Sequence, residues 1–138
     1  MAVRVATIGD IVRMHEIRTA VHENRLSSPD RIRHADYASM LNVNGRGWVF
    51  EQAGVLAGFG IADGVRRNIW ALFVAPGFER QGIGRALLET MTAWLFAQSN
   101  APVWLTTAPG TRAEGFYRGA GWCETGRENG EIRFELSP

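Results

Sequence analysis

The run Asn68-Ile-Trp-Ala-Leu-Phe-Val-Ala75 carries no polar side chain after Asn68, whichever face of an extended chain a residue points to. Such a strand cannot sit on a solvated surface. It needs a strand along each edge and a layer of structure above and below. The run is too short to cross a membrane as a helix, and Pro76-Gly77 ends it. It therefore predicts the middle of a mixed sheet with helices packed on it, an α/β architecture.

The rest of the chain supplies the neighbours. Residues 3–8 alternate and predict a first strand. Asp10 is placed to cap a helix with apolar positions at Ile11, Met14, Ile17 and Val21. Ser27-Ser28-Pro29-Asp30 is a break, and Pro29 and Asp30 open a second helix through Tyr37, Met40 and Leu41 that stops at Asn44-Gly45. Residues 47–52 and 55–62 read as strands joined by Ala53-Gly54, and Asp63-Gly64 turns into the buried run. The clearest helix covers 82–98, with Ile83, Leu87, Met91, Trp94 and Leu95 in one stripe. Residues 102–107 predict a strand and 112–118 a short helix stopped by Gly119-Ala120-Gly121. Residues 122–125 and 131–136 predict a closing hairpin over Glu128-Asn129-Gly130. The order is β-α-α-β-β-β-α-β-α-β-β, in one domain spanning 1–138, without internal repeats.

All 15 basic side chains are Arg, and the chain has no Lys. That excludes a P-loop lysine, a Schiff base and pyridoxal-phosphate chemistry. Arg is no base near neutral pH, but it forks well onto phosphate. Against 4 Asp and 10 Glu the formal net charge is +1, so no nucleic-acid partner is expected. The single Cys, Cys123, excludes an internal disulfide and any zinc site built on two or more Cys. No metal is expected, and Cys123 reads as a small buried residue beside Trp122. Arg4, Asp10 and Arg13 interrupt the N-terminus, unlike a signal peptide, and no apolar run approaches the ~20 residues of a membrane span. The expectation is a cytoplasmic protein without membrane contact.

Arg80-Gln81-Gly82-Ile83-Gly84-Arg85 follows the buried strand and opens the strongest helix. A helix N-terminus presents unpaired N–H groups and the positive end of the dipole, and glycines at 82 and 84 let an anion reach that backbone. A pyrophosphate suits it. Arg80 and Arg85 add two permanent cations. A Walker loop would need Gly-Lys-Ser/Thr, which is absent. A dinucleotide fingerprint would put a small residue at 87, where Leu87 stands, and would follow the first strand of a βαβ unit. Both nucleotide readings fit badly.

The stretch Leu72-Phe73-Val74-Ala75-Pro76-Gly77-Phe78-Glu79-Arg80-Gln81-Gly82-Ile83-Gly84-Arg85-Ala86-Leu87-Leu88 resembles the acetyl-CoA-binding segment of the GCN5-related N-acetyltransferases. Ala113-Glu114-Gly115-Phe116-Tyr117-Arg118-Gly119-Ala120-Gly121-Trp122 is similar to that family's Ala-x-x-Phe-Tyr-x-x-x-Gly-Phe segment, with Trp122 for the Phe. The element order agrees from end to end. The resemblance implies a sheet whose fourth and fifth strands splay apart around acetyl-CoA as co-substrate. It implies that the backbone of Leu72, Phe73 and Val74 pairs with the pantetheine arm. The N–H groups of Arg80, Gln81, Gly82, Ile83, Gly84 and Arg85 would hold the pyrophosphate, and the N–H of Phe73 or Val74 would face the developing oxyanion. Tyr117 matches the tyrosine that protonates the departing thiolate. Two residues depart from the pattern: Glu79 stands where the family has Gln or Arg, and Gly110 where it often has Asn. The Asn contact is either lost or replaced by Thr111 or Arg112, and Arg112 and Arg118 are weighed as phosphate ligands against solvated helix surface, the preferred reading.

No acid lies on the fourth strand, where family members often keep a general base. Asp63, Glu51, Glu23, His15, His22 and His34 are the remaining candidates, and none is selected. The five Trp read mostly as core, and Trp70, on the fourth strand, is weighed as a residue of the acceptor side. The function implied is transfer of an acetyl group to a primary amine, on a small molecule or a peptide, by direct attack in a ternary complex. The alternative is a non-catalytic acyl-CoA-binding module of the same fold. A homodimer is the family-level expectation.

Overall fold

The computed structural model describes residues 2–21 and 33–138. Its strands are β1 (Val3–Val5), β2 (Gly45–Gln52), β3 (Val55–Asp63), β4 (Asn68–Val74), β5 (Val103–Thr107), β6 (Cys123–Glu128) and β7 (Glu131–Leu136). Its helices are α1 (Ile11–Ala20), α2 (His34–Ser39), α3 (Ile83–Phe96) and α4 (Arg112–Gly119). The expected order is observed. The strands form one sheet in the order β1-β2-β3-β4-β5-β7-β6, antiparallel except between β4 and β5. The expected start of the second helix at Pro29-Asp30 lies outside the described residues.

The sheet carries two cores. On one face Met14 and Ile17 of α1 and Tyr37 of α2 pack with Phe59 and Ile61 of the sheet, and on the other Leu87, Met91 and Leu95 of α3 pack with Leu105 and Phe134. Alternating β4 residues serve both cores, which is why that strand reads as continuously apolar. Helix α3 lies so close to β3 that a Cβ on Gly60 would come within 2.3 Å of Met91 Sδ.

Three local readings change. Asp10 does not cap α1 with its side chain. Its carboxylate turns back to accept the Thr7 N–H at 2.8 Å and both Nη groups of Arg4 at 2.9 and 3.0 Å. The β3–β4 connection is no two-residue turn, because the buried Asp63 carboxylate accepts the N–H groups of Val65 and Arg66 and shapes a longer loop. Cys123 is exposed, not buried: β6 is the outer strand, so Trp122 turns inward and the next residue faces out.

Asp10 carries a first prediction. The Arg4 guanidinium holds its carboxyl below the ordinary carboxylate value of 3.8. A lowered folded-state value contributes stability above that pH and loses it as pH falls through the carboxylate range. Asp10→Ala is expected to cost about 1 kcal/mol in urea unfolding at neutral pH. Most of this comes from the Thr7 N–H, since Arg4 is half exposed and its ion pair is screened. The difference from the wild type should shrink toward pH 3.

Candidate active site

β4 and β5 touch at one register pair, Asn68 with Trp104, and then diverge. The junction is locked from three sides. Asn68 Nδ2 donates to the Trp104 carbonyl at 3.1 Å, and the Trp104 N–H donates to the Arg67 carbonyl at 3.1 Å. The Arg67 guanidinium donates to the carbonyls of Leu95, Ser99 and Ala101 at 3.1, 3.0 and 2.6 Å, which ties the end of α3 to the same corner. Trp70 is an extra residue in β4: Ile61 pairs with Ala71 and Ala62 with Ile69, a bulge that bends the strand as the gap opens.

The gap exposes a row of backbone groups on β4. Which ones follows from parity. The Ala75 N–H donates to the Ala57 carbonyl at 2.8 Å, so in an antiparallel ladder Phe73, two residues back, also faces β3. Leu72 and Val74 then turn their N–H and C=O groups to the open edge. Of the two residues considered for the oxyanion, Val74 is correctly turned, and Phe73 spends its backbone on β3.

The loop after β4 is strained where it meets the helix. Arg80 has φ +63° and Gly82 φ +81°, both left-handed, and Gly82 N-caps α3 with no side-chain bond to the first turn. The N–H groups of Ile83, Gly84 and Arg85 are thus left without a capping partner. A non-glycine residue held at positive φ costs of order 1 kcal/mol and is met at ligand-binding loops. Gly84 has ordinary helical geometry, and a Cβ there would make only van der Waals contacts with Phe116 at 3.6 Å and Val74 at 3.7 Å. The protein's own packing does not demand glycine at 84. What the missing side chain leaves is space between β4, α3 and α4.

That space is a cleft of about 580 Å³. One wall is Leu72, Phe73 and Val74, the floor is Arg80, Gly82, Ile83, Gly84 and Arg85, and the far wall is Arg112, Ala113, Phe116 and Tyr117 from α4. Pro76, Phe78 and Glu79 of the loop, and Ala20 and Val21 at the end of α1, also line it. Of the residues expected at the cofactor, Gln81 alone does not line it; its exposed side chain leaves the loop between two left-handed residues. Arg112 lines the cleft, as weighed. Arg118 does not: it pairs with Glu114 at 3.0 Å and Glu124 at 2.7 Å and stacks on Phe134. Thr111 caps α4 by accepting the Glu114 N–H.

Tyr117 is 6% exposed and packed edge-on against Phe116 and Trp122. Burial pushes its phenol above the ordinary value of 10.0, so it stays protonated through neutral and moderately alkaline pH. The Glu79 carboxylate is held below its ordinary value by its own N–H and that of Gly77.

The candidate bases are dispersed. Asp63 is used in its turn, Glu51 binds Arg4 at the β1–β2 edge, and His34 is exposed at the start of α2. His15 Nδ1 meets the Tyr37 hydroxyl at 2.8 Å. His22 and Glu23 lie outside the described residues. Trp70 lies on the α1–α2 side, edge-on to Tyr37 and beneath the Arg18 guanidinium, contacts that sequence spacing could not indicate. Among the described residues no group of three or more His, Cys, Asp or Glu is arranged to hold a metal, and no helix is long and apolar enough to cross a membrane.

Comparison with known proteins agrees with this architecture. Residues 11–122 match the family model described as Acetyltransferase (GNAT) family. No curated protein matches the sequence. Among solved structures, a GCN5-related N-acetyltransferase from Rhodopseudomonas palustris superposes with a TM-score of 0.84 at 18% identity, over 99% of this chain and 95% of that one. The ribosomal-protein-S18-alanine N-acetyltransferase from Escherichia coli gives 0.79 at 23% identity, over 98% and 92%. The PaiA N-acetyltransferase from Thermoplasma acidophilum, solved in complex with coenzyme A, gives 0.79 at 13%, over 100% of both chains. The splayed sheet, the uncapped helix and the tyrosine-bearing α4 are thus found in a chain that belongs to the GNAT acetyltransferase family.

Proposed function

We propose that this protein is an acetyl-CoA-dependent N-acetyltransferase that moves an acetyl group to a primary amine by direct attack in a ternary complex. One observation carries the reading. The open edge of β4, the uncapped start of α3 and the buried Tyr117 all line one cleft, in which the space above Gly84 is needed by nothing in the protein itself.

The cleft fits the co-substrate by its donor set. The N–H groups of Ile83, Gly84 and Arg85, with Arg80 and Arg85 at their sides, suit a pyrophosphate. The Leu72 and Val74 backbone suits an amide-bearing pantetheine arm added as a strand. Acetyl-CoA supplies an activated thioester when bound. Val74 N–H faces the position where negative charge would develop. Tyr117 donates its proton, or a hydrogen bond, toward the departing sulfur. A free thiol near 8.5 is a poor match for a phenol raised above 10, but the burial that raises the phenol raises a thiol in the same place.

Among the described residues, Glu79 is the one carboxylate that lines the cleft, and no described His lines it. An amine delivered neutral, or one that loses its proton to water, needs no such group, and turnover on this reading rises with pH toward the acceptor's own pKa. The acceptor is a small-molecule or peptide amine; two structural neighbours are named for a ribosomal-protein alanine.

Acetyl-CoA at about a hundred times its Kd should add about 2.7 kcal/mol and raise Tm by roughly 10 °C for a chain of this size. Free CoA should do as much or less, and NADH and ATP little. No shift with acetyl-CoA, or a larger one with ATP, would overturn the reading. Thiol release over a panel of amines separates an enzyme from a binding module: stabilisation without turnover of any amine favours the module.

A further inference from the structure

Glu79 brings a negative charge to the edge of a proposed phosphate site, and its contacts are specific. Oε1 accepts the Gly77 N–H at 2.6 Å, within a loop that turns left-handed at Gly77, Arg80 and Gly82. Oε2 lies 3.9 Å from Arg112 Nη1. Glu79 and Arg112 come from two different elements, the β4–α3 loop and α4, and both line the cleft. Arg80 adds a second cation beside the same carboxylate.

We propose that Glu79 is a resident stand-in for the co-substrate's pyrophosphate: its carboxylate holds the loop and Arg112 together in the free protein and yields Arg112 to phosphate on binding. The inference rests on the acetyl-CoA reading above. A phosphate is the stronger partner for a guanidinium because two of its oxygens match the fork and it carries more charge. Glu79 thus keeps the mouth ordered while the site is empty, at the cost of competing with the ligand. The two effects have opposite signs, which separates this role from simple loop support.

The test is Glu79→Gln, measured by calorimetric titration and by amide exchange at Gly77. Glutamine keeps the size and one acceptor for Gly77 but loses the charge. Acetyl-CoA should bind about three- to tenfold tighter, through a faster on-rate and with a smaller advantage at high salt, as for other rim charges. The free variant should exchange faster at Gly77. Acetyl-dephospho-CoA, which retains the pyrophosphate, should show the same gain, and acetylpantetheine, which has no phosphate, should show none. Glu79→Asp, which keeps the charge, should show none with acetyl-CoA. Unchanged or weaker acetyl-CoA binding by Glu79→Gln overturns the proposal, as does an equal gain with acetylpantetheine. If the wild type itself binds no acetyl-CoA, it is the functional reading that fails.

Discussion

A Gly84→Asp protein should fold as the wild type does and lose acetyl-CoA binding by more than about a hundredfold. The folding half follows from geometry. The nearest neighbours of a Cβ at 84 are 3.6 and 3.7 Å away, ordinary contact distances, and the backbone there is helical. An acid in the first turn of α3 even favours the helix dipole, so Tm should hold or rise slightly. The binding half follows from the same position. The side chain projects between Val74 and Phe116 into the cleft, and its carboxylate takes the N–H groups offered to phosphate. A wrongly placed anion at a buried polar contact costs several kcal/mol, hence at least a hundredfold in Kd. Gly84→Ala separates sterics from charge and should lose less. A folded Gly84→Asp protein with unchanged affinity for acetyl-CoA would show the loop to be only a turn.

Tyr117→Phe should lower kcat by roughly 10²–10⁴, the usual worth of general acid help, with little change in acetyl-CoA affinity. The ring keeps its contacts with Phe116, Trp122 and Phe134, so the fold survives and the missing hydroxyl is the one difference. The pH profile gives a second check. Burial raises the phenol, so a descending limb due to Tyr117 lies above pH 10, and kcat should not fall as pH climbs from 8 to 10. Folding stability tied to this tyrosine has the same sign: it is fully present below 10 and is lost as pH rises beyond. Single-turnover rates are the proper comparison if product release limits kcat. Full activity in Tyr117→Phe would remove the acid role.

What could be read from the sequence divides along a physical line. The buried fourth strand, the stripe of α3 and the glycine spacing at 82 and 84 are local patterns, set by period and by residue type, and they survive intact. Readings that depend on strand order or pairing do not. Cys123 faces out because β6 is an edge, which its own neighbours cannot reveal. Phe73 and Val74 differ only in parity against β3, so the backbone group turned to the gap was not decidable from the run itself. Side-chain direction is not legible either: the left-handed turns at 80 and 82 leave the Gln81 side chain exposed, which leaves the reading of its N–H unchanged, and Glu124 on β6 pairs with Arg118, in keeping with the helix-surface reading preferred for it.

The single rung between β4 and β5 stands where a fulcrum would. Arg67 and Asn68 fix the apex, and the cleft walls are the two arms beyond it, so a small rotation at the apex becomes a larger change in width at Val74. The carbonyls that steady the apex belong to Leu95, Ser99 and Ala101, at and beyond the end of α3, whose first turn forms the floor. Wear at that remote corner would therefore register as a change of fit at the ligand, in a part of the molecule that no inventory of contacts to the ligand would include.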